Sequence, residues 1–257
     1  MTRERKILLF VSVAFVVITF GLLAFGRISQ PADYHRFADA RTIWGIPSFF
    51  NVATNAMFLL AGYAGLFVFG RLGATKLHAD GKLALLVLAI GCIGTAAGSA
   101  FYHAYPSSAS LVWDRIPMTI CFAAIFAEFV AIHISARGAK FVLPIATIYG
   151  LGSVLYWQLT MQLGADDLRP YVITQFFPIF IILTTALLFP RTEGWSRNWL
   201  LTILWYGAAK VFEYFDASIY ELSGELLSGH SLKHLAAGIA CLYAVTAMRE
   251  RRIASST

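Results

Sequence analysis

Charged side chains are scarce in this sequence: they make up 13% of its 257 residues, whereas 58% are hydrophobic. A soluble domain carries about 25% charged residues. Half that supply cannot cover a water-facing surface, so lipid must cover it instead. Cysteine is also scarce. The three present, Cys92, Cys121 and Cys241, are odd in number and each lies within an apolar run. That excludes a disulfide framework and a zinc–thiolate site and leaves them as small hydrophobes. Internal repeats, low-complexity stretches and interrupted hydrophobic segments are absent, which argues against a transporter with a midplane site. No basic patch interleaved with aromatics lies on a polar segment, so the net charge of +6 does not imply a nucleic-acid partner.

What the sequence has in abundance is apolar runs of membrane length. A hydrocarbon core needs about 20 such residues per helix, and 15% aromatics and 20 glycines suit helices packed in lipid. Eight spans are predicted, at about Ile7 to Gly26, Phe49 to Gly70, Leu83 to Tyr105, Asp114 to Ser135, Phe141 to Gln158, Tyr171 to Phe189, Asn198 to Tyr220 and Gly229 to Met248. The expected fold is therefore an all-α polytopic membrane bundle. Alternate loops differ in basic residues. Arg3, Arg5, Lys6, Arg71, Lys76, Lys82, Arg137, Lys140, Arg191, Arg197, Arg249, Arg251 and Arg252 face Arg27, Arg36, Arg41, Arg115 and Arg169. Thirteen against five predicts both termini in the cytoplasm, and the compact loops suit a bacterial inner membrane. A secretory signal peptide is the alternative for the first span, but its apolar run exceeds the roughly 7–15 residues usual there.

Polar residues at membrane depth are costly and invite a functional reading. Three sets fall toward the expected outer face. Ser99 and His103 are four apart and share a helical face. Asp114 follows eleven residues after His103, across a loop with Pro106 and three serines. His230 and His234 are again four apart. Two imidazoles at that spacing can hold one metal ion, and a third from another helix leaves an open coordination position. Zinc would there acidify a water and polarise a carbonyl. Asp114 is the candidate to carry the proton, and Ser99 to bond the oxyanion or orient the water. Each fragment alone has a plainer reading: surface histidines, a serine bonded to its own helix, or an N-terminal helix charge. Their convergence on three helices favours a metal site. Lys210, Glu213 and Asp216 form a stripe, read as a structural ion pair or as support for a histidine. Glu128 is expected to snorkel, and His35, His78 and His133 to be solvated or interfacial.

The pattern Ser99-x3-His103, Asp114, His230-x3-His234 resembles that of the alkaline ceramidases. These belong to a superfamily of seven-helix membrane hydrolases that includes adiponectin receptors and GPI-remodelling lipases. The stretch Phe50 to Phe58, with Asn51, Thr54 and Asn55, is similar to the first helix of that branch. The resemblance implies that His103, His230 and His234 bind zinc, that Ser99 and Asp114 support catalysis, and that the substrate is a ceramide-like or other N-acyl membrane lipid cleaved at its amide. It makes residues 31–257 a seven-helix hydrolase domain and residues 1–30 an extra N-terminal helix. Two positions depart from the family. Ser48 stands where a calcium-binding glutamate is found, so no calcium is expected, and Lys233 stands where an aromatic precedes the last histidine. An ester-cleaving lipase, a serine protease using Ser99 and a zinc-containing receptor are the rivals.

Overall fold

The computed structural model describes residues 1–71, 82–189 and 197–254. Lys76, His78 and Arg191 lie outside the described residues. The chain forms α1 (Arg3–Phe25), α2 (Phe49–Ala53), α3 (Ala56–Arg71), α4 (Lys82–Ala104), α5 (Ser108–His133), α6 (Ala136–Gln162), α7 (Arg169–Leu188), α8 (Arg197–Tyr214), α9 (Asp216–Leu222) and α10 (Gly229–Ala254). Among the described residues there is no strand, and seven helices are long and apolar enough to cross a membrane. The protein is an all-α polytopic membrane bundle.

The eighth expected span, Asn198 to Tyr220, is not one apolar helix. It is α8 followed, after Phe215, by the short α9. α8 nonetheless runs the length of α10 in the opposite direction. Asn198 Nδ2 donates to Glu250 Oε1 (2.6 Å) at one end, and Lys233 Nζ donates to Glu213 Oε1 (2.7 Å) at the other. Its polarity comes from Arg197 and Asn198 at the far end and from Lys210 and Glu213 near Lys233.

α5 lies centrally, packed on α4, α6 and α7; α10 packs on α3 and α8; α1 leans chiefly on α7. α7 and α8 scarcely meet and are linked by a long Gln175–Tyr206 hydrogen bond (3.4 Å). Gly91, Gly94 and Gly98 let α4 approach Cys121, Pro117 and Trp113 of α5, the small-residue packing of membrane helices. At Gly98 the approach is closest: a Cβ there would stand 1.9 Å from the Trp113 carbonyl oxygen.

Several expectations are corrected here. Glu128 does not snorkel; it is fully buried, because α5 is enclosed on its flanks. His133 is likewise buried rather than solvated, against Phe129 (ring centroids 5.0 Å apart). His35 is half-buried, with Nδ1 3.0 Å from Tyr102 Oη and Nε2 3.1 Å from Ser108 Oγ. Arg115, counted as a loop charge, is buried over Trp157 (4.2 Å) and Tyr171 (4.7 Å). α5 begins at Ser108 rather than Asp114, because Ser107 and Ser110 form a capping box. Cys92 and Cys121 are buried thiols with sulfurs 3.9 Å apart, and Cys241 is half-buried.

Candidate metal centre

His103, on the last turn of α4, and His230 and His234, on the first two turns of α10, are brought together at one end of the bundle. All three are buried, and their candidate ligand atoms lie within 4.8 Å of one another. The rings approach to centroid distances of 4.7, 4.7 and 4.9 Å. His103 Nε2 and His230 Nε2 are 3.2 Å apart. Two nitrogens bound tetrahedrally at about 2.0–2.1 Å from zinc stand roughly 3.3 Å apart, so this pair already has the separation that a shared ion requires. Three buried histidines here can hold a metal ion.

Their hydrogen-bond partners determine which nitrogen is free. The Thr54 hydroxyl donates its single proton to the Phe50 carbonyl (2.7 Å), so toward His234 Nδ1 (3.1 Å) it can only accept. That holds the proton on Nδ1 and leaves the His234 Nε2 lone pair available. At His230, Lys233 Nζ lies 3.3 Å from Nε2. An ammonium has no lone pair, so Nε2 must accept and the ring proton sits on Nδ1. His103 Nδ1 is buried without a hydrogen-bond partner, which leaves this ring the least constrained of the three.

Ser99 and Asp114 are both buried, with the Ser99 hydroxyl near the Asp114 carboxylate across the α4–α5 contact. Ser99 is therefore placed to act on the Asp114 carboxylate. Asp114 lies within electrostatic range of Lys233, Arg115 and Glu213. Of the polar stripe, Lys210 pairs with Glu213 Oε2 (2.7 Å), as expected. Glu213 supports no histidine; its other oxygen takes Lys233 (2.7 Å). Asp216 does support one, through the backbone: Oδ1 accepts from His230 N (2.7 Å) and Oδ2 from Ala38 N (3.1 Å).

Several contributors had no assigned role in the sequence. Phe37, from the segment before α2, packs its ring on His103 (4.6 Å) and His230 (4.8 Å). A single phenylalanine in a connecting segment carries no signal of that placement. Asn51 accepts from Ser231 Oγ (2.7 Å) and donates to the Asp39 carbonyl (3.3 Å), which pins the first turn of α10 to α2. Asn51 and Thr54 were visible as part of a recognisable stretch, but their partners lie about 180 residues away. Gly229 permits the crossing of α10 with α8 and α9: a Cβ there would stand 2.3 Å from the Phe212 carbonyl oxygen.

The segment that carries Phe37 is itself held by Asp39. Arg41 donates to both Asp39 oxygens (2.8 and 2.7 Å) and to the Leu226 carbonyl (2.9 Å). Burial alone would raise the Asp39 carboxyl, but the side-chain and backbone hydrogen bonds from Arg41, with its charge, hold it below the usual carboxylate range. Burial, with the Arg115 charge, pushes the His35 imidazole down.

An apolar cavity of about 70 Å³ begins one turn below the histidines. Thr95, Met118 and Ala237 line it one turn from Ser99, Asp114 and His234, and Ile179 of α7 and Tyr206 of α8 form its far wall. A larger apolar groove of about 250 Å³, between α1 and α5–α7, contains no histidine, carboxylate or thiol and belongs to the lipid-facing side. No family model matches the chain, and no curated protein matches it significantly.

Proposed function

We propose that the protein is a zinc-dependent intramembrane hydrolase that cleaves the amide bond of a ceramide-like or other N-acyl lipid. The observation that carries this reading is the convergence of three buried imidazoles from two helices at the end of the bundle that also holds the buried Ser99 and Asp114. Zinc held by His103, His230 and His234 would supply Lewis acidity to a carbonyl and a water acidified toward a pKa of about 7.

The chain's own groups complete the reaction. Asp114, beside Ser99, takes a proton from the attacking water as its oxygen bonds to the carbonyl carbon. Asp114 then returns that proton to the nitrogen as the C–N bond breaks, giving a fatty acid and an amine. Ser99 keeps the carboxylate aimed and stabilises its charge. The cavity below offers apolar room to part of an acyl chain, and the sparse α7–α8 contact offers a sideways path for a lipid. The resemblance to alkaline ceramidases supports the same chemistry. By the loop charges, both termini lie in the cytoplasm and the centre faces the outer side of a bacterial inner membrane.

The test is purification in detergent or nanodiscs, metal analysis and product profiling on matched amide and ester lipids. One zinc per chain and release of fatty acid from the amide are expected, with His230→Ala losing both. Turnover by metal-free protein would overturn the reading; cleavage of the ester alone would replace the amidase with a lipase.

A further inference from the structure

The strongest unassigned feature is the cationic side chain that intrudes on the histidine cluster. Lys233 Nζ lies 3.3 Å from His230 Nε2, the nitrogen that stands 3.2 Å from His103 Nε2. It is positioned rather than loosely placed, because Glu213 Oε1 accepts from it at 2.7 Å and Glu213 Oε2 accepts from Lys210 at 2.7 Å. One carboxylate therefore serves two ammonium groups. Around the site Lys210, Lys233 and Arg115 stand against Glu213, Asp114 and Asp216, so the charges balance before any metal is counted. Tyr34, Tyr206 and the three histidines also lie within electrostatic range of Lys233.

A bound divalent ion leaves this balanced set with a surplus of positive charge. An ion that takes the His230 lone pair removes the acceptor toward which Lys233 now donates. A donor N–H is left a few ångströms from a divalent charge, and the two repel strongly in a low-dielectric setting. A neutral lipid offers nothing to offset this surplus. An acidic group beside the scissile bond offers both a charge and a charge-assisted hydrogen-bond acceptor.

We infer that Lys233 is an anion-anchoring residue and that the ligands of this centre are N-acyl lipids whose amine portion carries a carboxylate or phosphate within a few bonds of the amide. The inference rests on the hydrolase reading for the amide and on the geometry for the acid. Lys210 and Glu213 act as positioning residues that aim the Lys233 ammonium.

Binding tests it apart from turnover. Zinc-loaded protein in zwitterionic nanodiscs is titrated with three uncleavable analogues in which a sulfonyl replaces the carbonyl: N-dodecylsulfonylglycine, its O-phosphoethanolamine counterpart and the neutral ethanolamine counterpart. Wild type is expected to bind at least one acidic analogue about tenfold or more tighter than the neutral one, the worth of a hydrogen bond to a charged group. The tighter acidic arm identifies carboxylate or phosphate. Lys233→Met should bring the ratio near one while zinc content and affinity for the neutral analogue persist, and Lys233→Arg should keep most of the preference. Equal binding of acidic and neutral analogues by zinc-loaded wild type overturns the inference, and that result stands whether or not Lys233→Met folds. A preference undiminished in folded Lys233→Met also overturns it, by assigning the selectivity to other charges. An acid preference without cleavage of any amide would instead refute the hydrolase reading and leave the anion site intact.

Discussion

At the scale of single residues, the histidine centre depends on side chains outside the cluster itself. Thr54 accepts from His234 Nδ1 because its own proton is committed to Phe50. Thr54→Val removes that acceptor while keeping the shape, and zinc affinity should fall about 10–100-fold, read by competition with a chromophoric chelator; Thr54→Ser should restore it. Unchanged affinity in Thr54→Val would mean that the ring is oriented by packing alone. Asp114→Asn keeps a hydrogen-bond partner for Ser99 but cannot carry a proton. Amide turnover should drop about 10²–10⁴-fold with zinc retained, and loss of the metal together with activity would show that Asp114 instead shapes the site.

At the scale of elements, the site exists because helices approach more closely than ordinary side chains allow. The α4–α5 contact that brings Ser99 near Asp114 runs through Gly98, and Gly98→Ala would drive a methyl into the Trp113 carbonyl. Overpacking of this kind costs about 1–3 kcal/mol, and here backbone must move, so the unfolding midpoint in denaturing detergent should fall and zinc affinity with it. Asp216 ties the first turn of α10 to the segment bearing Phe37 by two backbone hydrogen bonds. Asp216→Ala should speed amide exchange at Ala38 and His230 without changing exchange in the centre of α5; protection that stays intact at those two amides would show that the segment is held by Phe37 and Asp39 alone.

At the scale of the whole molecule, charge sorts to the two ends. The end bearing the histidines is covered by the segment that Asp39 and Arg41 pin, and near it Asp167 accepts from Arg169 (2.7 Å). For Asp167, burial works against ionisation, but hydrogen bonds from Arg169 and Tyr156 outweigh it and hold the carboxyl below its usual value. Both groups have folded-state values below the unfolded ones, so their contributions are present above about pH 4 and are lost as pH falls through the lower folded values. Acidification below about pH 4 should therefore expose the segment around Phe37 to limited proteolysis before the helices lose their far-ultraviolet signal. Asp39→Asn should make it susceptible at neutral pH, and equal resistance of both proteins would remove Asp39 from that role. The proposed orientation has its own check. An impermeant thiol reagent on intact cells should label a cysteine placed at Glu225 and not one placed at Arg137; the reverse pattern would invert the topology.

The amino-acid sequence alone determined that this chain lives in lipid, that it is helical, and which histidines are candidates to share an ion, because hydropathy and i, i+4 spacing are local properties. The spacing of His230 and His234 needs only one helix to be read. What only the tertiary structure decided lies between elements distant in the chain: that His103 meets them, that Thr54 sets a tautomer, that Phe37 covers the rings and that Glu128 has no route to the surface. The same holds for α8, whose Glu213 holds the Lys233 ammonium beside the cluster. Such contacts follow from how closely helices can approach and from which hydrogen bonds remain to be satisfied once water is excluded, and neither quantity is written in any single stretch of sequence.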